Sequence, residues 1–140
     1  MPSRVQWNSS YSVRNELLDR QHKDLLAQCN ALADCVCDSE QVDELKFDRI
    51  FNELMSGARD HFSTESALLG HAGHPLLEEV NDAHDEFEHL ATDIITTENF
   101  DRIELQRFLS LWWVGHIVGT GKKYRDFLKT VNGGVKLDVT

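Results

Sequence analysis

Apolar residues recur at steps of three and four along four separate segments of the chain, a spacing that places them on one face of an α-helix. The first segment predicts a helix from Asp19 to Cys37, with Asp19 as its N-cap. The second predicts a helix from Gln41 to Leu69, which Gly70 and Gly73 would end. Both helices would therefore carry one apolar stripe each.

The third and fourth helices have clear start signals. Pro75 suits the first turn of the third helix. Asp101 precedes the fourth, and Glu104 three residues later completes a capping-box pattern. The Asn-Gly-Gly run at 132–134 is predicted to stop this last helix.

The pattern as a whole predicts an all-α protein. No convincing strand pattern occurs, and four amphipathic helices with short connections favour an antiparallel up-down-up-down four-helix bundle. A length of 140 residues is typical of one domain. We expect an N-terminal arm over 1–16, the bundle over 17–132 and a C-terminal tail over 133–140.

Charge and cysteine content narrow the function classes. A net charge of -10 makes binding to nucleic acid or to an anionic membrane surface unfavourable. No secretory signal pattern opens the chain, and the most apolar stretch, 109–118, is too short to span a bilayer. Three cysteines form no disulfide framework, which favours a reducing compartment and hence the cytoplasm.

Some polar residues occupy positions on the apolar stripes, and at least one comes from each helix. Burying each of these polar groups without a hydrogen-bond partner would cost on the order of a few kcal/mol. A metal ion would use the lone pairs of neutral imidazoles and neutralise a carboxylate. The predicted metal ligands are His22, His61, Glu65, His84 and His116.

The remaining histidines are predicted to be non-ligands. His71 and His74 fall in the connection after the second helix, and His89 points away from the stripe of the third. Each stays open as a substitute ligand.

Several motifs resemble the hemerythrin family, including its bacterial members. The match runs from about residue 7 to residue 128 without obvious gaps. The segments that resemble the family are Trp7 and Tyr11 with Asp19-Arg20-Gln21-His22, His61-Phe62-Ser63-Thr64-Glu65 (HFxxE), Gly73-His74-Pro75, His84-Asp85-Glu86-Phe87 (HxxF), and Trp112-Trp113-Val114-Gly115-His116-Ile117 with Tyr124.

The resemblance implies a non-haem iron site that binds dioxygen reversibly. In that family five histidines and two carboxylates hold two irons. Carried over by position, His22 and His61 would serve one iron, His84 and His116 the other, and Glu65 would bridge them.

Two family ligands are replaced in this chain. Val80 stands at the first histidine of the HxxxHxxF motif, and Gly121 stands at the second bridging carboxylate. The resemblance then implies one or two irons per chain, with fewer than two held tightly. A shifted register, with His84 first and Glu88 second, remains an alternative, although it breaks the Gly-His-Pro and HxxF matches.

The expected function is binding of dioxygen or a related small ligand for storage, delivery or sensing, with no protein partner specified. The alternatives are an iron-dependent oxidase or peroxidase, a nitric-oxide-handling enzyme, a mono-metal or haem-binding variant, and a degenerate interaction protein. No separate general base or nucleophile supports the enzyme reading. Gly115, Gly119 and Gly121 surround His116 and would either allow close helix packing or widen a pocket beside the metal.

Overall fold

The computed structural model describes residues 2–36, 43–72 and 76–134. Within these ranges a short 3₁₀ turn precedes four α-helices. Their bounds are Ser9–Tyr11 for the 3₁₀ turn, Glu16–Val36 for α1, Glu44–Ala72 for α2, Leu76–Thr96 for α3 and Arg102–Gly134 for α4.

The four helices pack in a closed ring, in which α1 contacts α2 and α4, and α3 contacts α2 and α4. No strand is formed by the described residues, so the all-α four-helix bundle is confirmed. Inward positions of every helix contribute to one apolar core. The largest fully buried side chains include Trp113, Phe47, Phe62 and Phe87. None of the helices in the described part of the chain is both long and apolar enough to cross a membrane.

Helix α1 begins before the predicted N-cap. The side chain of Asn15 accepts a hydrogen bond from the backbone N–H of Leu18 at 3.0 Å, which is the usual geometry of an N-cap. Asp19 lies inside the first turn, and its carboxylate accepts from Ser12 Oγ at 2.6 Å and from Val13 N–H at 2.9 Å. The prediction of Asp19 as the N-cap was wrong, because its carboxylate instead binds Ser12 and Val13 of the preceding segment.

Helix α2 also differs from its predicted bounds. Asp43 caps it, accepting from the backbone N–H of Lys46 at 3.1 Å. Its last residue is Ala72, so Gly70 lies within the helix and does not end it. One glycine costs a helix only about 1 kcal/mol, which packing can offset. The predicted signals at Gln41, Gly73 and Pro75 lie outside the described residues.

Helix α4 has the predicted start. Asp101 Oδ1 accepts from the backbone N–H groups of Ile103 at 2.8 Å and Glu104 at 3.4 Å. The helix extends to Gly134, so the Asn-Gly-Gly run belongs to its last turn and does not precede a stop at 132. A long, continuous α4 carries its inward residues to the middle of the bundle.

The N-terminal segment is bound to the bundle by buried polar contacts. Gln106 is fully buried, accepts from the backbone N–H of Ser3 at 2.6 Å and donates to the carbonyl of Cys29 at 2.9 Å. The Asn30 side chain pairs with both backbone groups of Val5, at 2.9 and 2.6 Å. These contacts join the segment to both α1 and α4.

Candidate metal centre

Four polar side chains from three helices converge inside the bundle. Each offers one ligand atom, and these atoms all lie within 4.8 Å of one another. All four residues are buried, at 6% exposure or less. The group, called here the His/Glu cluster, consists of His22 on α1, His61 and Glu65 on α2, and His116 on α4.

Helix periodicity explains why these residues meet. His61 and Glu65 are four residues apart, so they occupy successive turns of one face of α2. His22 follows the stripe that buries Leu18 and Leu25 on α1. The apolar stripes must face the core, and the polar residues on them are carried inward with their neighbours.

The distances within the His/Glu cluster are short. His22 Nε2 lies 3.0 Å from His61 Nε2, and His116 Nε2 lies 3.1 Å from Glu65 Oε1. The same Glu65 oxygen lies 3.8 Å from His22 Nε2 and also contacts His61 Nε2. Among the described residues, the other carboxylate oxygen, Glu65 Oε2, is buried without a hydrogen-bond partner, as is His22 Nδ1. Such orphaned polar atoms cost free energy unless something else satisfies them.

A chain of hydrogen bonds determines which nitrogen of His61 carries its proton. Thr64 Oγ1 donates to the carbonyl of Asp60 at 2.9 Å, so its oxygen is left to accept from Gln21 Nε2 at 3.1 Å. Gln21 therefore turns its Oε1 toward His61 Nδ1, 2.9 Å away. Because Oε1 can only accept, His61 Nδ1 must donate. In the neutral ring the lone pair is then on Nε2, inside the His/Glu cluster.

The protonation states favour a metal-binding set. Burial lowers the pKa of His61 to about 4, even though Glu65 opposes the shift, so its ring is neutral near pH 7. Burial by itself would raise the pKa of the Glu65 carboxyl, whereas positive charge at the facing His61 and His116 would hold it well below its usual range. Because burial keeps the His61 ring neutral, a bound cation is the charge that would keep Glu65 ionised.

A cation fits this arrangement. The lone pair of His61 Nε2 faces a carboxylate oxygen and the Nε2 of His22. Lone pairs repel one another unless a proton or a cation lies between them, and burial removes the water that would screen the repulsion. Imidazole nitrogens with a carboxylate suit a first-row transition metal such as iron.

The structure does not bring His84, the fifth predicted ligand, into the His/Glu cluster. Its ring stacks on Phe62 with centroids 4.7 Å apart, and its side chain is 34% exposed. His84 Nε2 lies 3.6 Å from Glu88 Oε1, while Glu88 pairs with Arg59 at 2.8 Å. His84 as a ligand stays a prediction, and the same holds for the shifted register through Glu88.

The other candidate histidines also lie apart or are not described. His89 is 74% exposed at its side chain and lies 3.3 Å from Asp93. The side chain of His71 and the whole of His74 are outside the described part of the structure. Val80, at one of the replaced family positions, is fully buried and has no ligand atom.

A groove between α3 and α4 opens beside His116, which is the one member of the His/Glu cluster among the residues that line it. Its volume is about 520 Å³, and His116 and Trp112 form part of its wall. Gly115 also lines it, and a side chain added there would meet no atom within 4 Å. No described residue packs closely against Gly115, so of its two interpretations the open space beside His116 is supported and close helix packing is not. The groove also carries three carboxylates, from Glu79, Asp82 and Glu86.

Sequence reasoning missed Gln21 as a functional residue. It lies off the apolar stripe of α1, so periodicity does not select it, and its position next to His22 was the available signal. Replacing Gln21 with leucine should weaken metal binding about 10- to 100-fold, because His61 loses the acceptor that fixes its tautomer. Metal titration against a competing chelator measures the change.

Two further variants make that test specific. Gln21→Glu retains an acceptor oxygen for His61 and should bind metal nearly as the unmodified protein does. Gln28→Leu changes a half-buried glutamine on the same helix, away from the His/Glu cluster, and should have no effect on metal affinity. Equal affinities for Gln21→Leu and the unmodified protein would show that Gln21 does not position the ring.

The sequence is similar to those of a known family of cation-binding domains. The family model described as Hemerythrin HHE cation binding domain matches residues 13–124. Proteins named hemerythrin-like protein from Naegleria gruberi and Naegleria fowleri are each 30% identical over 128 residues, covering 91% of this chain and 97% of theirs. A myohemerythrin from Theromyzon tessulatum is 25% identical over the same length. No solved structure matches the chain significantly.

Proposed function

This chain belongs to the hemerythrin family of cation-binding domains, and on that premise we propose that it binds non-haem iron and, at that iron, dioxygen or a related small ligand. The roles that fit are storage, delivery or sensing of the ligand. The observation that carries the proposal is the convergence of four buried ligand atoms, with His61 held as the tautomer that presents its lone pair.

The donor set supports iron in particular. His22, His61 and Glu65 include the two-histidine, one-carboxylate set that non-haem ferrous iron with open positions prefers, and His116 adds a third imidazole at the same place. Iron held there would supply an open coordination position at which dioxygen can bind. Burial of the set keeps bulk water away from that position.

The surrounding side chains favour binding over further chemistry. The rings of Trp113, Phe62 and Trp112 lie 5.4, 5.5 and 5.1 Å from the ring of His116, so that side of the cluster is apolar. The one carboxylate in the cluster, Glu65, is committed to the metal. The carboxylates of Glu79, Asp82 and Glu86 line the groove outside, and each member of the cluster itself is a candidate ligand.

Exposure of the ferrous protein to air tests the proposal. Reversible binding should produce a visible charge-transfer band that disappears under vacuum and returns on readmission of air. Irreversible bleaching would contradict reversible binding and would support the alternative of an iron-dependent oxidase or peroxidase. Absence of any spectral change, with iron bound, would also contradict the proposal.

A further inference from the structure

We infer that the His/Glu cluster holds a single metal ion, ligated together by His22, His61, Glu65 and His116, and not the pair of ions that the family's full set of seven ligands holds. This inference rests on the proposed function, because it concerns the same site. The inference adds two statements to that function: which side chains bind the same ion, and how many ions the chain retains.

The first argument is the spacing of the ligand atoms. Adjacent ligands of one ion are about 3.0 to 3.4 Å apart when each bond to the metal is about 2.1 Å long. Two of the distances in the His/Glu cluster are 3.0 and 3.1 Å, and a third is 3.8 Å. The first two distances match the edge expected around one ion, and the third lies between that edge and the about 4.2 Å that separates opposite ligands of an octahedral ion.

The second argument is the position of His116. Carried over from the family, His116 belongs to a different iron from His22 and His61. The two ions of a two-metal site are about 3.5 to 4 Å apart. Ligand atoms at opposite ends of such a pair are therefore farther from each other than any two ligands of one ion. Here the ligand atom of His116 lies within 4.8 Å of those of both His22 and His61, close to the about 4.2 Å that separates opposite ligands of one ion.

The third argument is that, among the described residues, the family's ligand set for a second ion is incomplete. Val80 and Gly121 replace two of the family's ligands with residues that have no donor atom. His84 stacks on Phe62, and that same Phe62 ring lies 5.5 Å from the ring of His116. An aromatic ring thus lies against both histidines that a second iron would need to share.

Metal stoichiometry tests the inference directly. The full chain is loaded anaerobically with ferrous iron, and separately with Co²⁺, passed through gel filtration and assayed for metal. We expect one equivalent per chain with either ion. Two firmly bound equivalents would overturn the inference.

Histidine variants identify the ligands. His84→Ala should retain the full equivalent, as should His89→Ala, a matched control at an exposed histidine of the same helix. His116→Ala should lose at least about 10-fold in affinity, since it removes a direct ligand. His116→Gln provides a less disruptive replacement if the alanine variant folds poorly by circular dichroism. Loss of metal from His84→Ala, or full retention by both His116 variants, would contradict the inference.

Failure of this inference differs from failure of the proposed function. One equivalent of metal without a reversible dioxygen band would leave the single-ion centre standing and contradict dioxygen binding. Two equivalents of metal with a reversible band would support dioxygen binding and contradict the single-ion centre. No retained metal at all would contradict both.

Discussion

Replacing Glu65 with glutamine is expected to lower the affinity for ferrous iron by at least about 100-fold, because changes outside the ligand set already cost about 10- to 100-fold. Glu65 is the one carboxylate in the His/Glu cluster, and one of its oxygens lies 3.1 Å from His116 Nε2. The variant would leave a dication in a buried site with neutral ligands alone. Removing a compensating charge from a buried site carries a large electrostatic cost.

Competition with a chelator of known affinity measures this loss. Glu88→Gln is the matched control, because Glu88 lies on α3 outside the His/Glu cluster, where it pairs with Arg59. This control should keep the metal affinity of the unmodified protein. An unchanged affinity in Glu65→Gln would mean that the ion binds elsewhere.

Replacing Trp113 with alanine should lower the free energy of unfolding by about 3 to 5 kcal/mol, the usual cost of truncating a large buried aromatic residue. Trp113 is fully buried, and its ring lies 5.3 Å from that of Phe87 and 5.4 Å from that of Phe62. The same ring lies 5.6 Å from that of His61. The cavity would therefore open beside the His/Glu cluster as well as in the core.

Urea denaturation of the metal-free protein, kept in excess chelator, isolates this effect from metal binding. Leu111→Ala on the same helix is the control, because Leu111 is 70% exposed and should change stability by no more than about 0.5 kcal/mol. A loss below about 1 kcal/mol in Trp113→Ala would show that the core rearranges to fill the cavity.

The fold could be predicted from the sequence because helix periodicity is a local property. Steps of three and four place residues on one face whatever the rest of the chain does. The same rule applies to polar residues, so His22, His61, Glu65 and His116 could be identified as inward-facing before their contacts were known. Helix ends were predicted less well, since Asn15 and Asp19 are both good capping residues and only their contacts distinguish them.

The family motifs carried some information beyond periodicity. They indicated that Val80 and Gly121 stand where ligands are expected, which no pattern of polar and apolar residues would reveal. They could not indicate where the remaining side chains lie once those two ligands are replaced. A motif records which residues are present but does not record the distances between their atoms.

The sequence by itself determined the four-helix architecture and the set of polar residues that the helices carry toward the core. Only the tertiary structure decided which of those side chains lie close together. His84 occupies a stripe position like the others, yet its ring stacks on Phe62 and stays 34% exposed at the bundle surface. The tautomer of His61 likewise depends on Gln21, which comes from a different helix. Periodicity fixes the direction of a side chain around its own helix, whereas the meeting of atoms from different helices depends on how those helices pack.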